Sequence, residues 1–237
     1  MELYLNFDIP YQPTDTTCGP TCLHAVYNYY KDSIPLVKLI EEVPSLEEGG
    51  TLAALLGTHA LKRNYKATLY TYNLHIFDPT WFINDKVDIV EKLELQIEHK
   101  KGLKFRVASM AYIEFLKRGG KLKFEDLSTN LIKKFLKKSI PILAGVSSTY
   151  LYNHMREYGD QSISNDILGY PGGHFVVLCG YDPVKHEVMV ADPLKPNPYS
   201  EGRIYMVHYE RLICAILLGI ATDDANLLIL EPQSKQP

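Results

Sequence analysis

The stretch that decides the fold is residues 18–30, CGPTCLHAVYNYY. Pro20 suits the first turn of a helix, where its missing N–H is no loss. Small and apolar side chains then recur at helical spacing, at Cys22, Ala25, Val26 and Tyr29. The preceding residues form a polar, turn-rich run. The sequence therefore predicts a helix whose N-terminus lies at or just after Cys18.

The size and composition of the chain are those of an ordinary globular protein. It has 237 residues, enough to bury a sizeable core. Hydrophobic residues make up 46% and charged residues 22%. The formal net charge of −3 gives no reason to expect a nucleic acid or an anionic membrane as a partner. The oligomeric state does not follow from these values.

Targeting signals are not recognisable in the sequence. The N-terminus lacks the basic start, apolar run and cleavage site of a signal peptide. The longest apolar candidate, residues 212–221, is too short to span a bilayer. We therefore expect a cytoplasmic protein without a membrane span.

The chain has four cysteines, at positions 18, 22, 179 and 214. In a reducing cytoplasm they are expected to remain free thiols. Cys18 and Cys22 would share one face of a helix, but no second pair completes a zinc-binding pattern. We expect no metal and no cofactor.

The order of the predicted elements favours an α+β fold. Predicted helices cover residues 36–43, 51–63, 87–100, 107–117 and 127–138, and one strand covers 66–72. Short apolar runs between turns predict strands at residues 140–146, 174–180, 187–191, 203–208 and 227–230. Because helices come first and strands later, a doubly wound sheet is disfavoured. We predict one domain over residues 1–237, with a helical insertion at about 73–138.

Three residues could together form a nucleophilic site. A helix N-terminus favours a thiolate at Cys18, and a nearby imidazolium would favour it further. His174 begins one predicted strand after two glycines, and Asp192 ends the next. If these strands are antiparallel neighbours, the carboxylate of Asp192 can orient the His174 ring as a base for the thiol.

Acyl transfer also requires donors for the oxyanion that develops on the attacked carbonyl. The backbone N–H of Cys18 is one natural donor. Gln12 lies six residues upstream, on the preceding loop, and its side-chain N–H could be the second.

The ordered motifs resemble the bacteriocin-processing (double-glycine leader) peptidase family in its stand-alone form. They comprise Gln12, residues 18–23 (CGPTCL), residues 173–182 (GHFVVLCGYD) and residues 191–193 (ADP). The resemblance implies a papain-like fold, with N-terminal helices packed on a C-terminal antiparallel sheet. It implies that Cys18 attacks, that His174 and Asp192 complete a triad, and that Gln12 lines the oxyanion hole. A peptide or peptide-like amide is then the expected substrate.

Other interpretations remain open at this stage. The same triad could serve an acyl or peptidyl transferase, and a non-catalytic peptide-binding module could retain the fold. Taken singly, Cys18 could be a buried structural thiol, His174 a structural histidine, and Asp192 a turn-forming residue. Residues 49–51 (GGT) could cap the next helix or line a substrate cleft, and the capping role is favoured because threonine caps well.

Overall fold

The structure is a computed structural model that describes residues 2–46, 49–84, 86–159 and 162–233. The α-helices are α1 (Cys18–Tyr29), α2 (Leu36–Glu42), α3 (Ala53–Lys62), α4 (Ile89–His99), α5 (Leu103–Lys117), α6 (Thr129–Leu136), α7 (Ser148–Tyr152) and α8 (Tyr209–Leu218). The strands are β1 (Leu3–Tyr4), β2 (Tyr65–Thr71), β3 (Lys121–Lys123), β4 (Ile142–Ser147), β5 (Glu157–Tyr158), β6 (Ile163–Ser164), β7 (Gly173–Asp182), β8 (Glu187–Ala191), β9 (Ile204–His208) and β10 (Asn226–Pro232). Two short 3-10 helices cover Pro79–Phe82 and Gly219–Thr222.

One large sheet organises the molecule. Its strands lie side by side in the order β3-β2-β10-β4-β7-β8-β9, and β1 pairs with the end of β7. All of these neighbours are antiparallel except β2 and β3. The predicted α+β class, with helices and a largely antiparallel sheet, is therefore confirmed.

Helix α1, which the sequence predicts to begin at or just after Cys18, packs on the central strand β7. Nine of the ten β7 residues are buried, and nine of the twelve α1 residues are buried as well. The thiol of Cys22 donates a hydrogen bond to the carbonyl oxygen of Phe175, at 3.2 Å, which joins the two elements. The small residues of α1 thus bring the helix close to the sheet.

Most predicted elements are present, with ends that differ by one or two residues. One helix begins earlier than predicted, at Leu103 instead of residue 107. Strand β3 and helix α8 were not predicted. The three residues of β3 are too few to give a pattern, and this strand exists through its pairing with β2. The buried residues of α8, Tyr209, Leu212, Ala215 and Ile216, do recur at helical spacing, but we considered residues 212–221 only as a candidate membrane span.

The segment at about 73–138 contains helices α4, α5 and α6, together with β3, which joins the main sheet. The division of residues 1–237 into one domain with an insertion stays a prediction.

Strand register explains how residues distant in sequence reach one place. On neighbouring antiparallel strands, Val177 of β7 pairs with Ala191 of β8. The chain that continues past Ala191 therefore runs alongside the start of β7, where His174 lies. The N-terminus of α1 lies above the same part of β7, so Cys18, His174 and Asp192 meet at one end of the central strands.

Candidate active site

Cys18 is the first residue of helix α1 and is 7% exposed. A turn starts the helix, because the Thr17 hydroxyl donates to the carbonyl oxygen of Thr14 at 2.9 Å and accepts from its N–H at 3.1 Å. The first turn of α1 contains no acidic residue. The free N–H groups and the positive end of the helix dipole therefore favour negative charge on the Cys18 sulfur.

His174, near the start of β7, is buried between a thiol and a carboxylate. Its Nε2 lies 2.9 Å from Oδ1 of Asp192, and the ring lies beside Cys18 on the wall of one cavity. Since Nε2 faces Asp192, Nδ1 is the nitrogen left for the thiol. Burial alone would lower the pKa of His174, but the negative charges of Asp192 and Cys18 outweigh it and raise that pKa to about 10. The imidazolium form is therefore strongly favoured.

Asp192 follows β8 directly and is fully buried. Its Oδ2 accepts hydrogen bonds from the hydroxyls of Tyr152 at 2.7 Å and Tyr205 at 2.5 Å. Its Oδ1 accepts from His174 and from the backbone N–H of Leu194 at 3.0 Å. Burial opposes the charged form, yet the His174 charge and these donors lower the pKa of Asp192 to about 2. The carboxylate is ionised at neutral pH, and it also forms the turn that the Asp-Pro sequence favours.

The two tyrosines on Asp192 were not found by the sequence analysis. Tyr152 ends the short helix α7, and Tyr205 lies on β9. The chain has 17 tyrosines, and nothing in the local sequence sets these two apart. Only the fold, which brings α7 and β9 to the end of β8, gives them their partner.

Gln12 lies beside the Asp192 turn. Its backbone N–H donates to the carbonyl oxygen of Pro193 at 2.8 Å. Among the described residues, its side-chain Oε1 is buried and accepts no hydrogen bond. The structure thus brings the Gln12 backbone next to the turn that begins at Asp192, but Gln12 is not among the described residues that line the cavity at Cys18.

A cavity of about 170 Å³ opens at the thiol. Its described lining residues are Asp15, Thr16, Cys18, Gly49, Gly50, Thr51, Gly173, His174, Phe175 and Asp224. The favoured capping role of Thr51 is wrong, because the N-cap of α3 is Leu52, which makes no side-chain cap. The Thr51 hydroxyl instead donates to the carbonyl oxygen of Pro44 at 2.9 Å. Residues 49–51 therefore form one wall of the cleft.

Cys22 is chemically unlike Cys18, although one helical turn separates them. Burial raises the pKa of the Cys22 thiol well above its usual value, so this thiol stays protonated. Within the described parts of the chain, no group of three or more His, Cys, Asp and Glu side chains is placed to hold a metal ion.

The arrangement at Cys18 can perform nucleophilic acyl transfer. A thiol at a helix N-terminus, an imidazole beside it and a buried carboxylate behind the imidazole have the geometry of nucleophile, base and orienting group.

Comparisons with known proteins identify the family. The model of the Peptidase_C39 like family matches residues 4–212. The chain therefore belongs to this family, whose members have papain-like peptidase folds. This confirms the resemblance drawn from the sequence motifs. No curated protein matches the sequence.

Solved structures to which the chain is similar include three peptidases. A presumed C39-like peptidase from Bacillus anthracis has 16% sequence identity and a TM-score of 0.53, over 99% of this chain and 100% of that chain. The peptidase domain of Streptococcus ComA, a bi-functional ABC transporter involved in a quorum sensing pathway, has 14% identity and a TM-score of 0.44, over 96% of this chain and 100% of that one. A double glycine motif protease from an AMS/PCAT transporter, in complex with the leader peptide, has 14% identity and a TM-score of 0.44, over 98% of this chain and 99% of that one.

Within residues 2–46, 49–84, 86–159 and 162–233, no helix has the length and apolar character needed to cross a membrane.

Proposed function

We propose that this protein is a cysteine peptidase that cleaves an amide bond in a peptide, with Cys18 as the nucleophile. One observation carries the proposal. A single buried imidazole, that of His174, lies between a fully buried carboxylate and a thiol at a helix N-terminus. A structural thiol would not require an imidazole and a carboxylate beside it. A turn-forming aspartate would not require an imidazole and a thiol.

The acylation step follows from this geometry. The Cys18 thiolate attacks the carbonyl carbon of the scissile bond, and a tetrahedral oxyanion forms. The backbone N–H of Cys18 and the side chain of Gln12 donate hydrogen bonds to that oxyanion. The His174 imidazolium then gives its proton to the leaving amine as the C–N bond breaks. A thioester and a free amine result.

The deacylation step uses the same residues in reverse. Neutral His174 takes a proton from a water molecule, which attacks the thioester carbonyl. The C–S bond breaks, the carboxylic acid product leaves, and the thiolate and imidazolium are restored. Throughout, Asp192 holds the ring with Nδ1 towards the sulfur and stabilises its positive charge.

We also propose which residues form the catalytic domain and where in the cell the enzyme is located. The catalytic unit would comprise residues 1–237, with the segment at about 73–138 as an insertion. We propose a cytoplasmic location, supported by cysteines that are all free: Cys18, Cys22 and Cys179 are buried, and Cys214 is exposed. Fractionation of the producing cells, followed by immunodetection, would test the location.

The proposal is tested with a pool of unlabelled peptides, incubated with the protein and analysed by mass spectrometry for new termini. We expect cleavage by the native protein and by a Cys214→Ala variant, which removes an exposed thiol. We expect none by Cys18→Ala. Full activity in Cys18→Ala would contradict the assignment of the nucleophile.

The same assay separates hydrolysis from transfer. Hydrolysis predicts a free carboxylic acid at each new C-terminus even when an amine acceptor is added. A product in which the added amine replaces water throughout would instead identify an acyl or peptidyl transferase. Selective binding of peptides without any turnover would favour the peptide-binding module.

A further inference from the structure

One buried acid of the cleft has no part in the proposed chemistry. Asp224 follows the second 3-10 helix, just before β10, and lines the same cavity as Cys18 and His174. It is 7% exposed. Its Oδ1 is buried and has no hydrogen-bond partner among the described residues. A buried, unsatisfied carboxyl oxygen is costly and calls for an explanation.

The only side-chain hydrogen bond of Asp224 in the described chain is weak. The Thr222 hydroxyl lies 3.3 Å from Oδ2 of Asp224 and 3.1 Å from the carbonyl oxygen of Gly219. A hydroxyl has one hydrogen, and the carbonyl is the nearer acceptor. Asp224 therefore lacks the donors that stabilise the other buried acid of the site, Asp192.

No cation of the described chain compensates Asp224 directly. The nearest lysine, Lys104, has its ammonium group 3.5 Å from Oδ2 of the neighbouring Asp223. Burial, and then the charge of Asp223, raise the pKa of Asp224 well above its usual value. The charges of His174 and Lys104 oppose this rise but do not overcome it, so the free protein favours the neutral form of Asp224.

The cavity around Asp224 has room for a ligand group. Its volume of about 170 Å³ far exceeds the roughly 10–15 Å³ that one water molecule needs. Gly49, Gly50 and Gly173 contribute no side chains to it. At Gly173 a Cβ atom would collide with the Asp224 carboxylate, so glycine at this position is what allows the acid to approach the cleft.

The charges on the cavity wall are unbalanced. The described lining residues include two acids, Asp15 and Asp224, and no lysine or arginine. His174 is the one lining residue that can be cationic, and its charge is already paired with Asp192 and Cys18. An incoming positive charge would therefore favour the ionised form of Asp224 and be attracted to it.

We propose that Asp224 is a specificity-determining residue that binds a cationic amine of the substrate, presented within a residue or two of the bond that Cys18 attacks. This inference rests on the proposed peptidase function. The chemistry required is an ammonium group, supplied either by a lysine-like side chain or by a free peptide N-terminus. A cation of this kind supplies the hydrogen-bond donors and the charge that stabilise ionised Asp224, and the proton of the carboxyl group is released to solvent on binding.

Burial makes the recognition selective. The carboxyl group is already removed from water when the protein folds, and its charged form is disfavoured there. Only a ligand with a positive charge stabilises the ionised form. An isosteric apolar group would leave the acid buried and unpaired. The difference between a lysine and an uncharged analogue should therefore be large.

The test measures binding without turnover, in the Cys18→Ala protein. The probes are N-acetylated, fluorescein-labelled hexapeptide amides of alanine that carry one lysine at each position in turn. Matched probes carry norleucine, which has the same chain length and no charge. A third set is unacetylated, carries norleucine and has its label at the C-terminal end. Fluorescence anisotropy gives the affinity of each probe.

We expect at least one lysine position or the free N-terminus to bind at least about tenfold more tightly than its uncharged match. Asp224→Asn should remove that difference. Glu98→Gln, which neutralises an exposed acid of α4, should preserve it. Which probe set carries the difference identifies the source of the amine. If Asp224→Asn fails to fold, as thermal unfolding would show, Asp224→Ala replaces it.

Equal binding of charged and uncharged probes would overturn the inference, and so would a preference that survives loss of the acid. The outcome is separate from that of the proposed function. If the native protein cleaves peptides with no preference for a lysine or a free N-terminus, this inference is wrong and the proposed peptidase function stands. Binding that depends on both lysine and Asp224, in a protein that never cleaves, would support the site and contradict the peptidase.

Discussion

The backbone N–H of Gln12 donates to the carbonyl oxygen of Pro193, and the nitrogen and oxygen lie 2.8 Å apart. This bond joins the loop before the nucleophile to the turn that begins at Asp192. Nearby, the guanidinium of Arg203 donates to the carbonyl oxygen of Ile9 and lies over the ring of Tyr11. Hydrogen bonds thus hold the loop of Gln12, the proposed oxyanion donor, against the turn of Asp192, the proposed orienting acid.

Gln12→Ala tests the oxyanion role separately from the thiol. We expect kcat for peptide cleavage to fall by about 10²–10³-fold, the usual effect of losing one oxyanion donor. Alkylation of Cys18 by iodoacetamide should be unchanged, since this reaction forms no carbonyl oxyanion. An unchanged kcat would show that the Gln12 side chain does not stabilise the oxyanion. Gln12 would then only hold the loop, through its backbone N–H.

Tyr152→Phe and Tyr205→Phe test the support of Asp192. Each change removes a hydrogen bond to a buried carboxylate, so we expect a loss of unfolding free energy of about 1.5–3 kcal/mol. The acid limb of the activity profile should also move to higher pH, because the pKa of Asp192 rises when a donor is lost.

Tyr209→Phe is the matched control for these two variants. Tyr209 is also buried, but its hydroxyl has no hydrogen-bond partner among the described residues. Its removal should change neither stability nor the pH profile appreciably. Equal effects in all three variants would mean that the tyrosines act through packing and not through Asp192.

The effect of Asp192→Asn on the free energy of unfolding should depend on pH. The folded pKa of Asp192 is about 2, below its unfolded value, so its contribution is full above about pH 4 and is lost as pH falls towards 2. The folded pKa of His174 is about 10, so its contribution is full below about pH 6.5 and declines as pH rises through 10. The Asp192–His174 ion pair contributes to both, and Cys18 adds to the second.

Urea unfolding of the native protein and of Asp192→Asn, from about pH 2 to 10, checks this prediction. The difference in unfolding free energy should be largest between about pH 4 and 6.5, on the order of 2 kcal/mol, and should shrink on both sides. A difference that does not vary with pH would contradict the ion pair.

The sequence predicts part of the site, the pairing of His174 with Asp192, and misses Asp224. His174 and Asp192 could be paired because each lies at the end of a short apolar run, and consecutive strands are usually neighbours. Asp224 could not be found in this way. It precedes β10, the last strand in sequence, which inserts between β2 and β4. No local pattern indicates such a long-range insertion. Thr51 was misjudged because a residue that suits a helix cap can also satisfy a nearby carbonyl.

The most direct test of the central claim is the rate of iodoacetamide labelling of the folded protein from about pH 4 to 9, with each modified cysteine mapped by mass spectrometry. Cys214 is exposed and serves as an ordinary thiol within the same sample. The account predicts rapid labelling of Cys18 below about pH 7, where Cys214 reacts slowly, and loss of that advantage in His174→Ala. If Cys18 follows the pH profile of Cys214 in both proteins, no activated thiolate–imidazole pair exists and the proposed peptidase mechanism is wrong.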